Sequence, residues 1–486
     1  MAGSRQIHRP MRLWLALLGM IALSACSFVP KYQRPDLQLP PDWTPVGIHQ
    51  EPFQQGWWSD FSDPNLARLV ELSQTNNLDI RATAQRLFQA QAQARFTRGS
   101  LLPAVELGGS VERTRKSQNG QTGGGGTSGD AEPKTLYRHD MAAAYEIDFW
   151  GKNRALFDSA TALANATAQD VRTVSITAES ETAISYISAC AWNERLAILR
   201  NVFENATDTL AVLQSAPGNG IANDLEVHRQ KASIANIEAQ VVAATQQASV
   251  EYDKLKVLLG GQTAAPSLEC PSFRTLTVPR IPAGIPSSIL ACRSDVSAAE
   301  NRLIAANADI GAARAAFLPS IELTAQRGYE SVALASLISP SSILYTALAD
   351  VTAPIFSGGR LKAQLAISEA RKAELVEPYR QAALNAFRDT HTTIVAAEQL
   401  SLQEAARETA SQEAQIAYHE ARSLLQQGQI DSLSVLDAQR EHLFARDAII
   451  DVRLARLLVA IGFYKAVGGD CRAAKILLKS DMSDRP

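Results

Sequence analysis

Beyond residue 26 the chain lacks any apolar run long enough to cross a membrane as a helix. A membrane-spanning part therefore has to be a β-barrel, whose alternating pattern is a weak sequence signal. An excess of one charge is lacking too: 47 Lys and Arg against 50 Asp and Glu leave a formal charge of −3, which argues against a nucleic-acid surface. Cysteine is scarce, five in 486 residues, and no CxxC or Cys/His spacing suggests a metal site. No phosphate-loop lysine follows the glycines, so no cofactor is implied. Of the histidines, His8 precedes the leader's apolar run, and His49, His139, His228, His391, His419 and His442 are scattered without a Cys or carboxylate motif. Those on helices read as surface residues, and the chain reads as no enzyme.

What is present begins with a leader. Arg5, Arg9 and Arg12 precede the apolar run Leu13 to Leu23, far short of a span, so residues 1–25 read as a secretory signal. Leu23-Ser24-Ala25-Cys26 has the form of a lipobox, which makes Cys26 the lipid-attachment residue; an ordinary signal peptide cleaved nearby is the alternative. Met11 is a possible second start. Several acyl chains anchor stably where one does not. Ser27 follows the cysteine where an aspartate would suggest inner-membrane retention, which favours the outer membrane. An exported chain can form disulfides: Cys270–Cys292 would close a short loop in a Pro-rich segment, while Cys190, in a helical stretch, reads as a small buried apolar residue.

The chain also contains itself twice. Leu78-Asp79-Ile80-Arg81-Ala82 recurs as Ser294-Asp295-Val296-Ser297-Ala298, and Leu102-Pro103-Ala104-Val105-Glu106-Leu107 as Leu318-Pro319-Ser320-Ile321-Glu322-Leu323, both 216 positions on. Gly220 and Gly428, Val227 and Val435, and Gly260-Gly261 and Gly468-Gly469 are 208 apart, the first copy holding extra glycine-rich sequence between residues 110 and 150. Constant offsets of this kind mark a tandem duplication.

Each copy changes period along its length. Asp63-Pro64 is a helix start, and Asn65 to Arg98 holds no Gly or Pro. Val105, Leu107, Gly109 and Val111 then alternate with Glu106, Gly108, Ser110 and Glu112; Ile321, Leu323 and Ala325 alternate with Glu322, Thr324 and Gln326. Return strands fit 136–149 and 343–356, the parity of the second being less clear, and Gly120 to Gly129 reads as a hairpin tip. The rest is long helix. Asn153 to Ala216 could reach roughly 90 Å. Trp192, Leu196, Leu199, Phe203, Ala206, Leu210 and Leu213 advance by fours and threes, as do Ile234, Ile237, Val241, Ala244 and Ala248, the seam of a left-handed coiled coil. Pro217 to Gly220 turns this pair back on itself; Arg360 to Gln427 and Ile430 to Ile461 form the second hairpin, turning at Gly428 and carrying Pro378.

Two strands per copy give four per chain, whereas a membrane barrel needs about eight or more to close. An open edge in lipid leaves backbone groups unpaired, so one chain cannot span alone. Three copies would supply twelve strands and twelve long helices; two would leave little lumen. Glu106 and Glu322 then face a water-filled pore, the alternative being the exposed face of a soluble sheet.

The order of these motifs, doubled, resembles the outer membrane factor family of efflux and secretion systems, the TolC-like proteins, and its NodT/OprM-like lipoprotein branch. The landmarks are Trp57-Trp58 before Phe61-Ser62-Asp63-Pro64, then Tyr145-Glu146-Ile147-Asp148-Phe149-Trp150-Gly151-Lys152 and Ala312-Ala313-Arg314-Ala315-Ala316-Phe317. Pro354-Ile355-Phe356 with Gly358-Gly359-Arg360-Leu361, and Ser434-Val435-Leu436-Asp437-Ala438-Gln439-Arg440, complete the set. The resemblance implies a mainly α fold with a transmembrane β-barrel: a trimer whose twelve-stranded outer-membrane barrel continues into a long periplasmic α-helical coiled-coil barrel. Its parts would be a lipidated arm (26–63), an equatorial helix (64–98), a β-hairpin (101–150) and a helical hairpin (151–261). A linker (262–286) leads to the second helix (287–318), hairpin (319–357), helical hairpin (358–469) and a tail (470–486).

The resemblance further implies a passive exit duct for small molecules or drugs, a homotrimer set in outer-membrane lipid, served by a periplasmic adaptor and an inner-membrane pump of the RND type. The turns near Pro217–Asp224 and Gly428–Asp437 would form its periplasmic aperture, where carboxylate rings favour cations. Glu226 and Asp437 match acidic aperture positions, reading as gate before solvated face. Leu425, Ile430 and Ser434 stand where some relatives carry tyrosine, arginine and aspartate, which suggests a partly apolar constriction. Asp224 and Asp431 read first as helix N-caps and second as gate. Export of proteins or oligosaccharides through the same duct, and a coiled-coil structural lipoprotein without a pore, are the competing readings.

Overall fold

The computed structural model describes residues 28–37, 56–115, 133–215, 224–261, 270, 273–281, 293–427 and 429–468. The signal segment, Cys26, the glycine-rich tip, the Pro217–Gly220 connector, Gly428, Cys292 and the 470–486 tail lie outside them. The chain divides into two compact units. One comprises residues 1–35, 88–166 and 300–377; the other comprises 36–87, 167–299 and 378–486. The elements are α1 (Pro64–Asn76), α2 (Leu78–Gly99), β1 (Ala104–Thr114), β2 (Lys134–Ile147), α3 (Lys152–Ser215) and α4 (Asp224–Leu258). The second copy gives α5 (Ser294–Ala315), β3 (Ser320–Ser331), β4 (Ile343–Thr352), α6 (Arg360–Gln426) and α7 (Ser432–Val467).

In the first unit the four strands form one antiparallel sheet in the order β1-β2-β3-β4. Odd positions pair with odd throughout: Val105 with Ala143, Tyr145 with Leu323, and Leu323 with Ala349. That settles the parity of β4, where Ile343, Tyr345, Ala347 and Val351 share the apolar face although Leu344 and Leu348 lie on the other. Both return strands end earlier than the alternation suggested, at Ile147 and Thr352. For β2 the reason is local chemistry in the Tyr145–Lys152 string. The Asp148 carboxylate accepts from the backbone N–H groups of Asn153 (3.1 Å) and Arg154 (2.7 Å), starting α3. Trp150 Nε1 donates to the Pro319 carbonyl at 2.7 Å, and Lys152 meets Glu146 at 2.6 Å. The arm lies along α5: Asn307 Nδ2 donates to the Pro30 carbonyl (2.6 Å), and Arg34 grips Glu300 through two nitrogens. Gly311 is where the arm passes closest, since a Cβ there would run into Val29.

In the second unit two aromatic residues just before α1 are buried. A short 3-10 turn, Trp57–Phe61, puts Trp57 and Phe61 into the core, with the Trp57 ring stacked on Tyr464 at 5.1 Å. Asp63 caps α1 through the N–H groups of Asn65 and Leu66, Pro64 occupies its first turn, and the Tyr186 hydroxyl donates to the same carboxylate at 2.8 Å. The single helix expected over 64–98 is two helices. Asn77 breaks it, its side chain accepting from Asp79 N–H (2.9 Å) and Ile80 N–H (3.2 Å) while donating to the Leu258 carbonyl. The seam residues Leu196 and Leu199 of α3 are buried with Ala244 and Ala248 of α4. Pro378 lies inside α6, and α7 runs on to Val467, past the expected end at Ile461.

The cysteine pairing differs from the expectation. Cys270 is joined to Cys190, not Cys292, with Cα atoms 5.5 Å apart across a sequence separation of 80. Cys190 faces the core from α3, as a small buried residue should, and the linker is drawn over it: Phe273 and Leu276 are buried there, and Arg453 donates to the carbonyls of Arg274 and Leu276. Proximity in the fold, not in sequence, selects the partner.

Candidate functional site

Two sets of residues are candidates for a functional site: the polar face of the sheet and the helix ends at 224–226 and 425–437.

Every carboxylate of the four strands lies on one face. Glu106 and Glu112 in β1, Asp140 and Glu146 in β2, Glu322 and Glu330 in β3, and Asp350 in β4 all occupy even positions. Glu106 stands opposite Ala142, whereas Glu322 has Glu146 on one side and Asp350 on the other, three acids abreast. Like charges directly opposite oppose strand pairing, and Lys152 offsets this row at Glu146. Farther along, Arg138 donates to Gln326 at 3.0 Å, Gln326 donates to Asp140 at 2.5 Å, and Arg138 faces Asp140 at 3.4 Å. Gly328 lets the strands close here, because a Cβ would strike Asp140. The sequence marked Glu106 and Glu322; the acidic neighbours of Glu322, Glu146 and Asp350, become visible only with the register.

At the helix ends, Asp431 caps α7, accepting from Ser434 N–H (3.0 Å) and Ser434 Oγ (2.6 Å). Those bonds, with Arg229 nearby, hold its carboxyl below the usual carboxylate range. Ser434 is thus the cap's partner, a role the sequence did not suggest. Asp224 is the first residue of α4 and, with Glu226, makes its first turn acidic, where the helix dipole favours negative charge. Asp437 is exposed and meets Arg440, one turn on, at 3.3 Å. Glu226, Leu425 and Ile430 are half-buried. Gln230, fully buried, donates to the Ala206 carbonyl at 2.6 Å and fixes α4 on α3.

One histidine is not the surface residue expected. His442 on α7 is buried and stacks on Tyr418 of α6, the rings 5.6 Å apart and 7° from parallel. Burial first, then Arg446 and His419, lower its pKa. Among the described residues no group of three or more His, Cys, Asp or Glu is placed to hold a metal.

A family model described as "Outer membrane efflux protein" matches residues 69–261 and 285–469. The pyoverdine export outer membrane protein OpmQ of Pseudomonas putida is 32% identical, over 94% of this chain and 98% of its own length. The cation efflux system protein CusC of Escherichia coli is 30% identical, over 92% and 96%. A crystal structure of CusC superposes with a TM-score of 0.81 at 29% identity, covering 91% of this chain and all of that one.

Proposed function

The chain belongs to the outer membrane efflux protein family, and on that premise we propose a homotrimeric exit duct with its lipid anchor at Cys26 and its gate at the 224–226 and 425–437 helix ends. It acts as an outer-membrane channel of a tripartite efflux system. The observation that carries the finer reading is the sheet. It has four strands, two edges without a partner among the described residues, and one apolar face. In lipid such edges cost several kcal/mol for each unpaired backbone group, and three copies remove them by closing a twelve-stranded barrel.

The duct itself is passive. A periplasmic adaptor and an inner-membrane pump of the RND type load it, and the pump supplies the energy. The cargo is a small molecule. Seven strand carboxylates against Lys134 and Arg138 on the same face favour cationic or neutral species over anions. Glu226 and Asp437 carry the gate's charge, Leu425 and Ile430 narrow it, and Asp224 and Asp431 begin the helices that present them. Full-length protein in planar bilayers tests this: Glu226→Ala with Asp437→Ala is expected to raise single-channel conductance and weaken cation preference. Unchanged conductance and selectivity would remove both from the gate. Cys26→Ser is expected to abolish acyl labelling in cells, and persisting label would reject the anchor.

A further inference from the structure

Among the described strand residues the odd-numbered, apolar face carries no carboxylate, yet it carries arginine. Among its odd positions Arg113 stands next to the end of β1, but Arg327 lies within β3, flanked by Met141 of β2 and Tyr345 of β4. Among the described residues no hydrogen bond or ion pair engages the Arg327 side chain, which is exposed. Tyr329 follows two positions on with His139 beside it, and Tyr345 is 83% exposed.

The level of this residue follows from the chain. β3 leaves the helical side at Ser320, so Arg327 is about 23 Å along the strand at ~3.3 Å per residue. With the usual strand tilt that is roughly 18 Å up an apolar band ~25 Å tall, in the half facing the cell exterior. A lipid-facing cation there is costly unless its head reaches polar groups, and an ionisable residue within the membrane points to a partner. Tyr345 at this level and Tyr329 two positions farther on lead toward the aromatic girdle at the band's edge. What lies beside them in an outer membrane is the outer leaflet's phosphorylated glycolipid.

We infer that Arg327, with Tyr329 and Tyr345, docks a phosphate of an outer-leaflet glycolipid. Guanidinium matches phosphate with paired N–H donors, the long arginine side chain can carry its head from within the band toward the headgroups, and the odd positions of the described strands hold no acid to oppose an anion. The inference rests on the barrel reading above, which places odd positions against lipid.

The test uses full-length protein in phosphatidylcholine bilayers with or without diphosphorylated lipid A, then counts lipid A retained per chain by native mass spectrometry after detergent extraction. Arg327→Leu is expected to lower retention at least about 5-fold, Arg327→Lys to restore part of it, and Arg138→Gln, on the opposite face, to leave it unchanged. Wild-type retention in Arg327→Leu, or an equal loss in Arg138→Gln, would overturn the proposal. So would displacement of lipid A by millimolar inorganic phosphate, which would mark a free-anion site. Conductance separates the two levels: an Arg327→Leu channel that conducts normally and keeps its lipid A sinks the docking site alone, whereas wild-type protein that never conducts sinks the barrel reading.

Discussion

In the helical unit Phe61, Leu66, Val70 and Leu457 are fully buried within a single chain, whereas in the sheet Leu107 is 73% exposed and every residue of β1 lies open. The two regions differ in what they are built to meet. The helical unit completes its own core, aided by buried polar contacts such as Tyr186 on Asp63 and by Glu404 held between Arg453 and Arg456. On the proposed reading the sheet leaves its apolar face for lipid, its polar face for water and its edges for other copies. A substitution should therefore act through folding in one region and through membrane assembly in the other.

The largest expected effect is a charge on the lipid face. Ala143→Arg, four residues before the end of β2 and opposite Ala325 in the middle of β3, should cost about 2–4 kcal/mol per chain near the bilayer midplane, enough to strip assembled channel from the outer membrane in heat-modifiability gels. Glu322→Gln, on the opposite face, should assemble normally and lower cation selectivity. Equal assembly of both variants would erase the distinction between the faces.

A smaller effect is expected from the helical unit's covalent tie. Cys190→Ser should lose about 2–4 kcal/mol in denaturant unfolding and leave Cys270 open to thiol labelling, with Cys292→Ser changing neither. The smallest effect is a pH dependence. Because the pKa of folded His442 is lowered, the unfolded chain takes up the proton first as pH falls below about 6.5. Stability contributed by this residue is thus present above that pH and lost as pH falls toward the folded value. His442→Asn should flatten the acid side of a melting-temperature profile while leaving the sheet's assembly unaffected.

The regions also differ in how far they could be read from residues alone. Period-2 alternation located the strands, and the fours and threes through Leu196, Leu199, Ala244 and Ala248 located the helical seam, because each pattern reports which face is wetted. Where a local side-chain contact overrides periodicity, the reading stopped short. Asn77 breaks a helix that holds no Gly or Pro, Asp148 ends β2 by starting α3, and Ser434 serves Asp431 as a cap partner. The Cys190–Cys270 bridge was hidden because connectivity depends on distance in the fold. On the sheet, the shared face of Glu106 and Glu322 was legible from their parity, but the acidic row through Glu146 and Asp350 needed the strand register. Arg327 likewise gains meaning only when its face and level are known.

The central claim is that the open edges β1 and β4 are closed by other copies of the same chain. The most direct measurement places one cysteine on each edge, Leu107→Cys and Ala347→Cys, and treats native outer membranes with a short bismaleimide before denaturing electrophoresis. The account expects covalent ladders that end at three chains. Ladders ending at two, or no interchain product from an assembled and conducting sample, would contradict it.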